Sequence, residues 1–224
     1  MLAQWPVPIA VSRGALVPFS VFALVFAAFS GGSQPTVLAA AALLGGIGGV
    51  VSLIVHELGH VSIARRLSGV TPKRVSVISL GAAAHFEGSY RNGREQARMA
   101  LGGPEASFAF ALALIVPLFL PAPVWLKLGA LALALLNVAI GVLSLLPVHP
   151  LDGHKLLVGL VWWVVGSEER ARRIIRRVGV ALIAIDFSTM VFLLAARPVI
   201  GVTAAALAAV AFAQKRLVRA RPRS

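Results

Sequence analysis

Apolar blocks about as long as a bilayer is thick are the feature that most constrains this chain. A helix needs about 20 predominantly apolar residues to cross a bilayer. Only 13% of the 224 residues are charged, whereas soluble domains carry roughly a quarter. The sequence therefore predicts an all-α polytopic membrane protein with about six transmembrane helices, near 15–30, 37–64, 99–120, 124–146, 178–195 and 198–213.

The positions of the basic residues predict the orientation of these spans. With both termini in the cytoplasm, every Lys and Arg except Lys127 and Arg197 falls on the cytoplasmic side, as the positive-inside rule requires. The net charge of +13 then follows from topology, so we expect no nucleic-acid partner. We expect a single membrane-embedded domain over 1–224, with a core at roughly 37–160 and a basic tail at 214–224.

Three shorter segments allow more than one interpretation. Lys155–Val165 is apolar but too short for a full span, which indicates a partly inserted helix. The run Arg74–Leu80 alternates partially with period two, so it predicts either a membrane-edge β-segment near 73–90 or an ordinary cytoplasmic loop. The glycines between 45 and 49 indicate close helix packing, or else a flexible helix beside a site.

A metal-binding pattern, His56-Glu57-Leu58-Gly59-His60, lies inside the second apolar block. On a helix, positions i and i+4 share one face, so both imidazoles can reach one ion, and Glu57 can approach a water without being a ligand. Ionisable groups are costly inside a membrane span and are therefore a functional hypothesis there. The alternative is a packed histidine pair with an incidental glutamate.

A catalytic zinc commonly has three protein ligands, and the chain has no cysteine to supply one. Asp152 is the candidate, because it returns to the cytoplasmic side after the fourth span, between Pro150 and Gly153. The alternative is that Asp152 caps the next helix.

The two motifs together resemble the site-2 protease family of intramembrane zinc metalloproteases, which pairs His-Glu-x-x-His with a later Asn-x-x-Pro-x-Pro-x-Leu-Asp-Gly. Here the second motif reads Ser144-Leu145-Leu146-Pro147-Val148-His149-Pro150-Leu151-Asp152-Gly153, and Gly102-Gly103-Pro104 is similar to the start of the family's third core helix. The resemblance covers roughly 45–160. It implies one catalytic Zn²⁺ held by His56, His60 and Asp152, with Glu57 as general base.

Ser144 stands where the family has an asparagine that helps to stabilise the reacting carbonyl. Ser144 or Asn137 can supply a weaker donor, and His149 and His154 are candidates for contacts that support the metal ligands. His85 is expected in a loop, and Asp186 is expected to make a structural hydrogen bond.

The expected activity is regulated intramembrane proteolysis of transmembrane protein substrates, by a compact six-span enzyme of a prokaryotic plasma membrane with its site toward the cytoplasm. Two alternatives come from other classes of protein. A catalytically inactive zinc-binding scaffold would keep the ligands without the base, but Glu57 is present. A metal transporter would carry ligands along several spans, often in repeated halves, and the sequence shows no internal repeat.

Overall fold

The computed structural model of the protein describes residues 7–31, 34–79 and 81–178. The chain divides into two compact units, Met1–Gly166 and Ser167–Ser224. The described part of the second unit is helical over 168–178. The first unit contains β1 (Ile9–Val11), α1 (Leu16–Phe29), α2 (Pro35–Ala64), β2 (Val70–Ile78), β3 (Gly81–Gly88), α3 (Gly93–Ile115), α4 (Val124–Ser144) and α5 (Asp152–Val165).

Three of the described helices are long and apolar enough to cross a membrane. They are α2, α3 with the 3-10 turn that follows it, and α4. The first predicted span corresponds to a shorter apolar helix, Arg13–Phe29. The fifth and sixth predicted spans fall at 178–195 and 198–213, almost wholly outside the described residues, so the count of six stays a prediction. The predicted short helix is present as α5.

Helix α3 begins six residues before the predicted span, at Gly93 instead of position 99. Its first turn is polar, so hydropathy gives no sign of it. The capping contacts explain the start: the Asn92 side chain accepts from the Glu95 N–H at 3.0 Å, and the Glu95 carboxylate accepts from the Arg91 N–H at 2.9 Å. These bonds satisfy backbone donors that a helix N-terminus otherwise leaves free.

The stretch between α2 and α3, where the sequence allowed either a β-segment or a loop, forms two strands of a three-stranded sheet. The third strand, β1, lies before α1. β1 pairs with β2 in parallel, and β2 pairs with β3 antiparallel. The ordinary-loop alternative is therefore wrong. Val75 of β2 packs with Val61 near the end of α2 and with Val7, and all three are buried. This contact places the sheet against the end of α2 that carries the histidines, with β3 at the edge of the described strands.

Glycines let the helices approach closely along α2. A Cβ at Gly45, Gly46 or Gly49 would collide with phenylalanine side chains of α1, so the packing interpretation of these glycines is confirmed. At Gly59, a Cβ would collide with the carbonyl oxygen of Gly102 on α3. The backbones of α2 and α3 therefore meet beside the two histidines.

Candidate metal centre

The two histidines of the first motif project from one face of α2 into the protein. His56 and His60 are only 6% and 5% exposed, although much of α2 is exposed. Their ring centroids lie 5.2 Å apart, with the rings at 80° to each other. This arrangement follows from the spacing, since residues four apart are neighbours on a helix surface.

Asp152 reaches the same point from the start of α5. Its Oδ2 lies 3.1 Å from Nε2 of His56 and 3.1 Å from Nε2 of His60. The backbone just after Asp152 packs closely against the end of α4. A Cβ at Gly153 would lie 2.5 Å from the Leu146 carbonyl oxygen, so this position requires glycine. The N-cap of α5 is Leu151, not Asp152. The helix-capping alternative for Asp152 is therefore wrong.

The Nδ1 nitrogen of each imidazole contacts a hydrogen-bond partner that the sequence did not indicate. Nδ1 of His60 lies 2.7 Å from the Met99 carbonyl oxygen, and Nδ1 of His56 lies 2.9 Å from Oγ of Ser107. A carbonyl can only accept, so Nδ1 of His60 carries the proton and donates. The Gly103 N–H also approaches this nitrogen, at 3.3 Å, but the shorter contact decides the tautomer.

This tautomer leaves a lone pair on Nε2 of His60 that faces an oxygen of Asp152. Two acceptors 3.1 Å apart repel each other unless a cation lies between them. Ligand atoms about 2.0–2.1 Å from a tetrahedral ion are about 3.3 Å apart, close to the separations observed. The donor atoms of His56, His60 and Asp152 all lie within 4.8 Å of one another. The residues therefore fit a divalent ion bound by two nitrogens and an oxygen.

The Asp152 carboxylate is buried beside a cation. Burial alone would raise its pKa, whereas the nearby ammonium of Lys155 lowers that pKa. Nζ of Lys155 lies 2.8 Å from Oδ1, the oxygen that does not face the histidines. An ionised carboxylate is the form that binds a metal.

Glu57 lies beside the three residues without joining their cluster. Its Oε2 accepts a hydrogen bond from the Ala84 N–H of β3, at 2.7 Å. Because this N–H reaches Glu57, it points away from β2, the strand that pairs with β3 on its other side. The bond fixes one carboxylate oxygen of Glu57 and connects the edge strand β3 to the residue beside the metal cluster.

Two of the candidates for carbonyl stabilisation are engaged elsewhere. Oγ of Ser144 donates to the Gly141 carbonyl within α4, at 2.9 Å. The Asn137 amide donates to Oγ of Ser52 at 2.9 Å and to the Leu133 carbonyl at 2.8 Å. Only the bond from Asn137 to Ser52 links α4 to another helix, α2, and none of these bonds is made to a residue of the metal cluster. The proposed catalytic support from Ser144 and Asn137 stays a prediction.

The remaining histidines lie outside the cluster. The rings of His149 and His154 contact each other, with centroids 5.4 Å apart. His85 lies on β3 and is exposed, so it belongs to a strand and not to the predicted loop. Asp186 lies outside the described residues. A role for His149 and His154 in support of the metal ligands stays a prediction.

Ser107 and Met99 are the contacts that sequence reasoning missed. Ser107 lies four residues after Gly103, on the face of α3 that meets α2, and is fully buried. In the sequence, a polar serine four residues after Gly103 in an otherwise apolar helix was the feature that could have indicated this contact. Met99 contributes only its backbone carbonyl, so its side chain could give no indication.

Comparison with known proteins agrees with the site. Residues 124–185 match the profile of Peptidase family M50. The chain is 33% identical to Rip3 of Mycobacterium tuberculosis over an alignment that covers 66% of this chain. It is 31% identical to a protein of Synechocystis over an alignment that covers 57% of this chain. Both relatives are named as zinc metalloproteases. The chain spans only 40% and 34% of these two relatives.

The fold gives an independent comparison. The site-2 protease of Methanocaldococcus jannaschii superposes with a TM-score of 0.54 at 19% identity, over 94% of this chain and 92% of that one. Such identity is evidence for the fold alone. The resemblance to the site-2 protease family that the two motifs indicated is thus confirmed, by sequence over part of the chain and by fold over nearly all of it.

Proposed function

We propose that this protein is a zinc-dependent intramembrane endopeptidase that hydrolyses peptide bonds in or near transmembrane segments of other membrane proteins. The observation that carries the proposal is the shared contact of Asp152 Oδ2 with Nε2 of His56 and of His60. Two separate motifs meet there at one buried point, beside a glutamate that is left outside the ligand set.

Each residue then has a defined role. His56, His60 and Asp152 would hold one Zn²⁺, with Ser107 and the Met99 carbonyl orienting the rings. Bound there, zinc supplies an acidified water and polarises the scissile carbonyl. Glu57 accepts the proton that the attacking water loses and returns it to the leaving amine.

Among the described strands, none pairs with the edge of β3 that faces away from β2, and this edge supports a specific mode of substrate binding. A helical substrate hides its carbonyls in internal hydrogen bonds, so it must unwind locally before it is cleaved. An unwound segment can pair with an unpaired strand edge through its backbone. The Ala84 N–H shows that this edge of β3 is directed at Glu57. Substrate added there would lie beside the general base.

Membrane insertion is part of the same proposal. Three apolar helices of sufficient length make a membrane protein the best interpretation. We propose the full arrangement that charge placement predicts, with six spans, both termini in the cytoplasm, and the metal centre toward the cytoplasmic side of a prokaryotic plasma membrane.

One observation favours the alternative of an inactive zinc-binding scaffold. The Ser144 hydroxyl, which stands where the family has an asparagine, donates to the Gly141 carbonyl of its own helix and is thus engaged by a partner outside the metal cluster. An inactive scaffold would bind zinc as proposed here and would cleave nothing.

The test compares wild type with Glu57→Gln, and uses Glu87→Gln as a matched control. Glu87 is an exposed carboxylate on β3, paired with Lys73 at 2.7 Å. Purified protein is assayed for zinc content and for cleavage of a panel of single-span substrates. We expect about one zinc in all three proteins, and cleavage lost only in Glu57→Gln. Zinc without cleavage by wild type across the panel would favour the scaffold, and absence of tightly bound metal would refute the site.

A further inference from the structure

We propose that Lys155 is a positioning residue of the metal centre: its ammonium restricts Asp152 to binding the ion through one oxygen and thereby keeps a coordination position open for water. The inference rests on the metal centre of the proposed function. Asp152 is the first residue of α5, and Lys155 follows three residues later on the same helix. Residues three apart share a helix face, so α5 itself brings the ammonium to the carboxylate.

The two oxygens of the Asp152 carboxylate have different partners. Oδ2 lies 3.1 Å from Nε2 of His56 and of His60, whereas Oδ1 accepts a hydrogen bond from Nζ of Lys155 at 2.8 Å. A hydrogen bond between charged groups is roughly twice as strong as one between neutral groups. Lys155 therefore fixes the rotation of the carboxylate and leaves only Oδ2 directed at the two histidines.

Burial distinguishes this contact from an ordinary surface ion pair. The side chain of Asp152 is 8% exposed and that of Lys155 is 54% exposed. Glu168 and Arg172 form an ion pair along a helix in which both side chains are exposed, at 41% and 61%. Exposed pairs of that kind contribute little to stability. In the Lys155 pair the carboxylate is enclosed and belongs to the metal cluster, so the contact can determine how a ligand is oriented.

Helix α3 anchors the backbone that carries the ammonium. Nε2 of Gln96 donates to the Lys155 carbonyl oxygen at 2.9 Å, and Gln96 is buried. The same helix supplies Met99 and Ser107, the partners of the two histidines. Each of the three proposed ligands is thus oriented from α3, and the carboxylate is oriented through Lys155.

Binding through one oxygen suits a catalytic ion. Two imidazole nitrogens and one carboxylate oxygen make three protein ligands, which leaves the fourth tetrahedral position to water. A carboxylate can also bind a cation through both oxygens, and the second oxygen would then compete with the water. The hydrogen bond from Lys155 to Oδ1 of Asp152 opposes this second mode.

The experiment uses the full chain in detergent, with Co²⁺ in place of zinc as the probe. Four-coordinate Co²⁺ absorbs visible light more strongly than Co²⁺ with five or six ligands, so the spectrum reports how the carboxylate binds. Lys155→Met keeps a long unbranched side chain and removes the ammonium. We expect Lys155→Met to retain bound Co²⁺ but to lose the strong four-coordinate absorption of wild type. The kcat of the zinc-loaded variant should fall about 10–100-fold.

Two further variants separate the position of the cation from a general effect of lost charge. Lys155→Arg restores a cationic donor and is expected to keep the wild-type spectrum. Lys73→Met breaks the exposed pair with Glu87 at the sheet and is expected to keep it as well. A wild-type Co²⁺ spectrum in Lys155→Met, or an equal loss of absorption in Lys155→Arg or Lys73→Met, would overturn the role of Lys155. Absence of bound Co²⁺ in wild type would instead overturn the metal centre on which that role rests.

Discussion

Substitution of Gly103 by alanine tests whether metal binding requires the absence of a side chain next to the two histidines. A Cβ at this position would lie 2.7 Å from Cε1 of His56, and closer still to Nε2 of both His56 and His60. Ordinary van der Waals contact begins at 3.4 Å, so the His56 ring would have to retreat by at least about 0.7 Å. Metal–ligand distances tolerate only about 0.2 Å. We therefore expect zinc affinity to fall by at least about 100-fold, with loss of cleavage.

The same substitution is expected to leave the helix formed. Alanine is a better helix former than glycine, by about 0.8–1 kcal/mol, and overpacking of this kind costs about 1–3 kcal/mol. Gly129→Ala on α4 is the matched control, because its Cβ would meet only Cδ2 of Leu44 at 2.6 Å, the mobile end of a side chain. Zinc is measured by competition with a chelator, and folding by thermal denaturation. Wild-type zinc affinity in a folded Gly103→Ala protein would refute this reasoning.

Three further substitutions address the residues around the centre. Ser107→Ala removes the partner of His56 Nδ1 and should lower zinc affinity about 10–100-fold by chelator competition; an unchanged affinity would contradict an orienting role. Ala84→Pro removes the N–H that binds Glu57 at a strand edge that tolerates proline, so kcat should fall while zinc content is retained. Ser144→Asn restores the amide that the family resemblance implies, and should raise kcat severalfold without changing zinc content; a lower kcat would argue against that role.

The ligands could be predicted from sequence because their chemistry is carried by short motifs. His56 and His60 are four residues apart on a helix, so secondary structure alone brings them together. Asp152 needed the topology of the spans and the family resemblance, since the residues around it also fitted a helix cap. Tertiary structure decided between the two, through Gly153 and the N-cap at Leu151.

The surrounding contacts could not be predicted in the same way. The Met99 carbonyl and the Ala84 N–H are backbone groups, and every residue has such groups whatever its side chain. The early start of α3 depends on capping contacts in a polar stretch, where hydropathy is uninformative. The pairing of β1 with β2 joins residues more than 60 positions apart, and nothing local in either strand specifies its partner.

The length of α2 has a consequence for the depth of the metal centre. Its 30 residues extend about 45 Å, whereas the hydrocarbon core of a bilayer is about 30 Å thick. His56 lies about 32 Å from the first residue of α2 by the same rise. An upright helix that starts at one boundary of the hydrocarbon would thus carry His56 to the opposite boundary, and tilt would draw the histidine inward. In a bilayer, the tilt that packing against the neighbouring helices gives α2 therefore sets how far water must travel to reach the site.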